Sequence, residues 1–123
     1  MDALVIDDSE TTRIQLEMCL QHLYKANVTQ AVNGQDALDI LREGQAFDII
    51  FCDINMPIMG GFQFLETMHK EDLCKAPIVI VSTEGGGFMK EQGKHLGAKA
   101  WLLKPFEQDQ VEKIANRLLK IAS

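Results

Sequence analysis

Three acidic side chains and one lysine stand out in this sequence because each follows a short apolar run. Asp7 and Asp8 follow the first run, Asp53 ends a later one, and Lys104 follows the last. Three carboxylates brought close together repel one another and need a positive partner. A hard divalent cation such as Mg²⁺ suits carboxylate oxygens, and a lysine adds a compact charge for an anion. An aspartate in such surroundings is chemically suited to accept a transferred phosphoryl group.

Five short apolar runs predict the strands that would position these groups. They are rich in valine, isoleucine and leucine and read almost without polar interruption, as strands covered on both faces of a parallel sheet do. The predicted strands span residues 3–6, 28–32, 48–53, 77–81 and 98–103.

Five stretches with helical features follow these strands. Ser9 is a predicted N-cap for a helix to about residue 24, and a second helix is expected over residues 35–42, ended by Gly44. A third helix and a weaker fourth one are expected between the third and fifth strands. The last predicted helix carries a single apolar stripe at helical spacing: Val111, Ile114, Ala115, Leu118, Leu119 and Ala122.

The alternation of strands and helices predicts an α/β fold with a doubly wound, five-stranded parallel sheet. Ligands of such sheets bind outside the C-terminal strand ends, where the strand order reverses. If the first and third strands are neighbours, as in the flavodoxin-like order 2-1-3-4-5, the three carboxylates converge there. Four of the five strands then deliver polar side chains to that edge: Asp7, Asp8, Asp53, Ser82, Thr83 and Lys104.

The length and charge of the chain exclude several broad classes of function. Its 123 residues suit one domain over residues 1–123, and 12 basic against 18 acidic residues give a net charge of −6. That charge argues against a broad nucleic-acid interface and against docking on an anionic membrane. No apolar run approaches the roughly 18 residues of a membrane span, and the N-terminus lacks the basic segment of a signal peptide. We therefore expect a cytoplasmic domain with no nucleic-acid partner and no membrane insertion.

The cysteines and histidines form no motif of their own. The cysteines are odd in number and widely spaced, which favours reduced thiols over a disulfide or zinc site: Cys19, Cys52 and Cys74. The histidines fall outside the predicted acidic edge and are expected on the surface or partly packed: His22, His69 and His95.

Four motifs, taken together, resemble the receiver domain of two-component response regulators. In chain order they are Asp7-Asp8, DINMPIMGG from Asp53 to Gly61, Ser82-Thr83, and Lys104-Pro105-Phe106. The resemblance covers the whole chain, and each motif follows the expected strand. The chain length and the stretches 81–84 and 101–106 are most similar to CheY-type chemotaxis regulators.

The resemblance implies a phosphoryl-transfer site on these residues. Asp53 would receive a phosphoryl group from the phosphohistidine of a sensor histidine kinase. Asp8, Asp53 and the backbone carbonyl of Asn55 would ligate Mg²⁺, and Asp7 would act through a water molecule. Lys104 would pair with a phosphoryl oxygen.

The resemblance also implies a conformational switch. Ser82 would hydrogen-bond the attached phosphoryl group, and Trp101 occupies a switch position where the family more often has tyrosine or phenylalanine. Asn55 and Glu84 would flank the path of a hydrolytic water and tune the lifetime of the phosphorylated state. The Lys104–Pro105 bond is expected to be cis, a form that X–Pro bonds can adopt.

Three functions remain open from the sequence. The first is a signalling switch, which is not an enzyme in the usual sense but promotes its own phosphorylation and dephosphorylation. It would signal by altered protein binding at a face formed by its fourth helix, fifth strand and last helix. Its implied partners are a CheA-like sensor histidine kinase and an output protein such as a flagellar motor switch component. The second function is a phosphorelay intermediate or phosphate sink. The third is a small Mg²⁺-dependent aspartyl phosphatase of the haloacid dehalogenase type, whose acidic pair should come late in the chain rather than first.

Overall fold

Five strands alternate with five helices in the structure, a computed structural model that describes residues 1–121. The strands are β1 (Asp2–Ile6), β2 (Asn27–Ala31), β3 (Ile49–Cys52), β4 (Ile78–Ser82) and β5 (Ala100–Leu103). The helices are α1 (Glu10–Tyr24), α2 (Gly34–Arg42), α3 (Gly61–Lys70), α4 (Gly87–His95) and α5 (Gln108–Leu119). The predicted succession of elements is confirmed, with strand boundaries that shift by one or two residues.

The sheet is parallel throughout, with the order β2-β1-β3-β4-β5. This confirms the predicted doubly wound fold, in which the strand order reverses between β1 and β3. Ile6 lies opposite Cys52 in the register of these two strands, so Asp7 and Asp53 leave neighbouring strands side by side. β5 ends directly before Lys104 at the same edge. The register therefore explains why residues far apart in the chain meet.

The core consists of two apolar layers, one on each face of the sheet. Leu4 and Ile6 of β1 face the layer formed with α2 and α3, whereas Ala3 and Val5 face the layer formed with α1 and α5. All four are at most 1% exposed, and each large apolar side chain buried in this way contributes about 1.5–3 kcal/mol. Within residues 1–121, no helix is both long enough and apolar enough to cross a membrane.

Local side chains define the ends of the first two helices. Ser9 caps α1, where its hydroxyl oxygen accepts a hydrogen bond from the Thr12 N–H at 3.4 Å. Asn33 caps α2 by accepting from the Asp36 N–H at 2.8 Å. Gly44 follows α2 with a φ of 93°, a backbone conformation that favours glycine. The predicted roles of Ser9 and Gly44 are confirmed.

Two predicted strands differ from the observed ones because their terminal residues serve neighbouring helices. Ala98 donates its N–H to the carbonyl of Gly93 at 2.9 Å, and Gly97 has a φ of 101°, so residues 97–98 close the end of α4. β5 consequently begins two residues later than expected. Val32 donates its N–H to Asp36 Oδ2 at 3.0 Å, which ends β2 at residue 31.

The last helix is shorter than its apolar stripe suggests. α5 ends at Leu119, and Lys120 adopts a left-handed conformation with a φ of 58°. Val111 and Ala115 are fully buried against the sheet, as the stripe predicts. Ala122, the final member of the stripe, lies outside the described residues.

Candidate functional site

The three aspartates that follow β1 and β3 form one cluster. Asp7, Asp8 and Asp53 each offer a carboxylate oxygen, and these atoms lie within 4.8 Å of one another. Asp7 is 1% exposed and Asp53 is 8% exposed, whereas Asp8 is open to solvent. The structure thus brings Asp53 together with two carboxylates that lie 45 and 46 positions before it in the sequence.

Lys104 provides the positive charge within this cluster. Its Nζ lies 2.8 Å from Asp7 Oδ2 and 3.4 Å from Asp53 Oδ2. The peptide bond between Lys104 and Pro105 is cis, as expected. The other carboxylate oxygens accept from the backbone, Asp7 Oδ1 from the Ser9 N–H at 2.9 Å and Asp53 Oδ1 from the Ile54 N–H at 2.8 Å. These bonds fix the orientation of both buried carboxylates.

The charged groups of the cluster favour the binding of a cation. Burial, and next the charge of Asp7, raises the pKa of the Asp53 carboxyl, and these effects outweigh the opposing influence of Lys104. Burial alone would lower the pKa of Lys104, but its hydrogen bond to Asp7 and the charges of both aspartates raise it overall. The lysine therefore stays protonated at neutral pH. The cluster holds three carboxyl groups and one ammonium group, and a divalent cation would offset this excess of acidic groups.

The ligand types in the cluster fit Mg²⁺ better than a softer metal. Carboxylate oxygens from three aspartates are hard donors of the kind that Mg²⁺ prefers. Cys52 is a neighbour in sequence, but it is fully buried and its thiol contacts the backbone carbonyl of Asp53 at 3.1 Å. Burial, with the charges of Asp53 and Asp7, raises the pKa of this thiol far above neutrality. It remains a protonated packing residue rather than a metal ligand.

The end of β4 and the loop that follows it carry the predicted hydroxyl groups and one further acidic residue. Ser82 is 1% exposed, and its Oγ accepts a hydrogen bond from the Glu84 N–H at 3.1 Å. Thr83 and Glu84 are exposed. Asn55, in the loop after β3, is likewise exposed two residues beyond Asp53. The two loops border the acidic cluster from neighbouring strands.

Trp101 connects the loop after β4 to α4. Its indole Nε1–H donates to the backbone carbonyl of Glu84 at 2.8 Å. Its ring lies against α4 at Gly93, where a Cβ atom would approach Trp101 Cζ3 to 2.9 Å. The missing side chain of Gly93 therefore makes space for the indole. Sequence reasoning overlooked this glycine, although a glycine inside a helical stretch is itself a signal of close packing.

Arg13 supports the acidic edge from α1 and was also overlooked in the sequence. Its Nη1–H donates to the backbone carbonyl of Asp7 at 2.8 Å, and its Nε–H donates to Gln30 Oε1 at 2.9 Å. The guanidinium thereby links the backbone of Asp7, whose carboxyl group is buried, to Gln30 of β2. No local pattern signals this role, because Arg13 and its two partners lie on three separate segments of the chain.

The cysteines and histidines outside the cluster take no part in it. Cys19 is buried and Cys74 is half-buried, and neither forms a disulfide within residues 1–121. The three histidines are exposed on α1, α3 and α4: His22, His69 and His95.

Comparison with known proteins gives a consistent result. The family model described as "Response regulator receiver domain" matches residues 3–116. The chain is 32% identical over 117 residues to "Protein PilH" of Pseudomonas aeruginosa, covering 94% of this chain and 95% of that protein. It is 32% identical over 107 residues to a "Chemotaxis protein CheY homolog" of Campylobacter jejuni, covering 86% and 82%. The solved structure of Vibrio cholerae chemotaxis protein CheY4 superposes with a TM-score of 0.87 at 34% identity, covering 95% and 97% of the two chains.

Proposed function

Because the chain belongs to the response regulator receiver domain family, we propose that it is a phosphorylation-activated switch whose phosphoryl acceptor is Asp53. Receiver domains are signalling switches rather than classical enzymes, and they work with histidine kinases. The observation that carries the proposal is the cluster itself. Three carboxylate oxygens lie within 4.8 Å of one another, and the Lys104 ammonium contacts two of the carboxylates.

Receiver domains bind Mg²⁺ in an acidic pocket, and the residues of this cluster fit that ion. In our proposal Asp8, Asp53 and the backbone carbonyl of Asn55 hold Mg²⁺, and Asp7 contributes through a water molecule. When bound, the ion supplies positive charge that offsets the carboxylates and the oxygens of an incoming phosphoryl group. The exposed position of Asp8 leaves the cluster open to solvent on one side.

The proposed reaction transfers a phosphoryl group from a phosphohistidine to Asp53. A carboxylate oxygen of Asp53 forms a bond to phosphorus while the nitrogen–phosphorus bond of the donor breaks. The departing imidazole keeps the electron pair and takes a proton from solvent. Lys104, which already lies 3.4 Å from Asp53 Oδ2, is suited to pair with a phosphoryl oxygen. The domain thereby promotes its own phosphorylation, and Asn55 and Glu84 influence the access of water that reverses it.

The proposed switch begins at Ser82. Its hydroxyl, which accepts the Glu84 N–H, would donate to a phosphoryl oxygen on Asp53. A shift of this loop would carry the Glu84 carbonyl with it, and that carbonyl is the acceptor of the Trp101 indole. The charge change at Asp53 would therefore reach α4 and β5 through two hydrogen-bonded residues.

The proposed output surface is a groove between α4 and β5. It is an open groove with a volume of about 390 Å³, lined in part by Lys90, Lys94, Lys99 and Trp101. Three lysines beside an aromatic ring, in a chain with a net charge of −6, favour an acidic segment of a partner protein. The chemotaxis proteins among the relatives support a role in chemotaxis. We infer a cytoplasmic protein that receives its phosphoryl group from a CheA-like kinase and binds an output protein such as a flagellar motor switch component.

The fluorescence of Trp101 tests this function, because it is the only tryptophan in the chain. We expect Mg²⁺ with beryllofluoride, a mimic of the phosphoryl group, to change the emission of the wild-type protein in a saturable manner. Asp53→Asn should remove the response, and Asp48→Asn, at an exposed carboxylate on the opposite edge of the sheet, should retain it. A wild-type protein that binds neither Mg²⁺ nor beryllofluoride would overturn the proposal. Sustained hydrolysis of a small phosphate ester would instead indicate the phosphatase, and onward transfer to a second histidine protein would indicate the phosphorelay.

A further inference from the structure

Ile58 combines an exposed apolar side chain with an unfavourable backbone conformation. Its apolar side chain is 83% exposed, and its backbone has a φ of 70°. The N–H of Met59 donates to the carbonyl of Pro57 at 2.7 Å, so Ile58 stands at the centre of a three-residue γ-turn. A positive φ at that centre marks the rare, strained form of the turn. A β-branched residue is among the least suited to this conformation.

The other positive-φ residues of the described chain have an ordinary explanation. Apart from glycines they are Lys25, Asp72 and Lys120, and all three are polar. Lys25 and Lys120 are the C-caps of α1 and α5, and Asp72 lies two residues beyond α3, where left-handed residues commonly end helices. Ile58 is the apolar exception, and it does not end a helix. The fold would accommodate a glycine or asparagine there with less strain.

The loop that carries Ile58 is held in place on both sides of the turn. The Gly34 N–H at the start of α2 donates to the Met59 carbonyl at 2.9 Å, and the Gly61 N–H donates to the Ile54 carbonyl at 2.8 Å. Ile54 directly follows Asp53. The strained turn is therefore fixed next to the acidic cluster, with its side chain in solvent. A residue held in strain at such a place points to a use outside the fold.

We propose that Ile58 is a docking contact for the protein that donates the phosphoryl group, an inference that rests on the proposed function. Asp53 is 8% exposed, so a phosphohistidine must reach it through the opening between the loops of this edge. A protein that carries the phosphohistidine must then cover those loops, including the exposed Ile58. Val32, 45% exposed on the loop that precedes Gly34, is a second exposed apolar side chain at this edge of the sheet. Burying a few apolar side chains at the centre of an interface commonly supplies much of its affinity.

A small phosphodonor separates docking from chemistry. It reaches Asp53 without covering the surrounding loops, so it does not need Ile58. The experiment compares the rates at which Ile58→Gly and wild type accept phosphate from a purified, phosphorylated CheA-type kinase and from acetyl phosphate. We expect the rate with a limiting concentration of the kinase to fall about fivefold or more, a typical effect of losing an interface contact. The rate with acetyl phosphate should stay within about twofold, because the acidic cluster is unchanged.

Two further variants separate the side chain from the backbone. Ile58→Asn keeps a side chain that tolerates a left-handed backbone, and it should lose transfer from the kinase as Ile58→Gly does. Asp72→Gly relieves a positive φ of 52° at the opposite edge of the sheet, and transfer from both donors should remain at the wild-type rate. Ile58→Gly should also raise the melting temperature, so its loss of transfer is not explained by unfolding.

Unchanged transfer from the kinase to Ile58→Gly would overturn the inference, and so would a wild-type protein that accepts phosphate from acetyl phosphate but not from the kinase. Self-association of wild type that Ile58→Gly abolishes, with kinase transfer intact, would assign the surface to a second copy of the chain and also overturn it. Failure of wild type to accept phosphate from either donor is a different outcome, because it removes the proposed function itself.

Discussion

The loops after β3 and β4 both border Asp53, yet the structure holds them in different ways. Backbone hydrogen bonds anchor the β3–α3 loop at Met59 and Gly61, and Gly61 packs directly on the backbone of Asp53. The β4–α4 loop contains Gly85 and Gly86, directly before Gly87 at the start of α4, and its Glu84 is held by the Ser82 hydroxyl and the Trp101 indole. From this difference we infer that the β3–α3 loop is a fixed wall, which orients the proposed acceptor Asp53, and that the β4–α4 loop is an adjustable wall, which would respond to phosphorylation there.

Matched glycine substitutions in the two loops should show the largest contrast. A Cβ at position 61 would collide with the backbone carbonyl of Asp53, whereas a Cβ at position 86 meets nothing within 4 Å. We expect Gly61→Ala to lower the free energy of unfolding by about 3 kcal/mol, since neither backbone segment can yield easily. Gly86→Ala should change it by no more than about 1 kcal/mol, because alanine is a poorer N-cap of α4 than glycine but also lowers the entropy of the unfolded chain. Urea unfolding measures both, and similar effects in the two loops would refute the contrast.

Replacing Asp53 with a neutral residue tests the fixed wall, because it removes the carboxyl group that this loop holds in a buried position. Burial, and next the charge of Asp7, raises the pKa of Asp53 above its ordinary value of 3.8. When the pKa of a carboxyl group is higher in the folded chain than in the unfolded chain, the free energy of unfolding decreases as the pH rises through the folded-state pKa. In metal-free buffer at neutral pH, Asp53→Asn should therefore raise the melting temperature by a few degrees.

The pH dependence of that gain identifies its cause. Near the ordinary pKa and below it, both proteins carry a neutral group at position 53 and the difference should shrink. Added Mg²⁺ should stabilise wild type more than the variant, because a ligand of the folded state shifts unfolding by mass action. Thermal unfolding followed by circular dichroism measures all three conditions. A gain independent of pH would show that ionisation of Asp53 is not its origin.

Removing the indole donor tests how the adjustable wall is held. Trp101→Phe keeps an aromatic ring but deletes the N–H that donates to Glu84 at 2.8 Å. We expect a loss of about 1 kcal/mol in the free energy of unfolding, the usual net value of one hydrogen bond. Amide hydrogen exchange should become faster in residues 84–87 and stay unchanged in residues 55–61. Equal acceleration in both loops would mean that they are not independently held.

Filling the space beside Trp101 should give the smallest change in stability. In Gly93→Ala the new methyl group must displace the indole slightly from 2.9 Å, while the better helix former adds roughly 1 kcal/mol to α4. The two effects oppose each other, so the net change should lie within about 1 kcal/mol of zero. The emission maximum of Trp101 should nevertheless shift, and Gly87→Ala, with nothing within 4 Å of its Cβ, should leave it unchanged. An unaltered emission maximum in Gly93→Ala would contradict the packing of the indole ring against Gly93.

The two loops also mark how far the sequence could predict the molecule. The apolar runs and the acidic residues that follow them are local patterns, and parallel pairing carries Asp7, Asp53 and Lys104 to one edge. The packing of Trp101 on Gly93 depends instead on the distance between α4 and β5, which no local sequence pattern predicts. The start of β5 was placed too early for a similar reason, because the N–H of Ala98 serves α4.

The strained turn at Ile58 lay beyond sequence reasoning for a different physical cause. The run Pro57-Ile58-Met59 has an apolar composition typical of packing, and isoleucine disfavours a positive φ. Only the contacts of the flanking residues, Met59 with Gly34 and Gly61 with Ile54, force the chain into that conformation. Strain imposed by tertiary contacts is therefore visible in the structure alone.

The phosphorylation of Asp53 is the central claim, and intact-protein mass spectrometry tests it most directly. After incubation with acetyl phosphate and Mg²⁺, wild type should gain the mass of one phosphoryl group, located by peptide mapping to Asp53. Chelation of the metal and the Asp53→Asn variant should each prevent the gain. A phosphoryl group on another residue, or an equal gain in Asp53→Asn, would contradict the account.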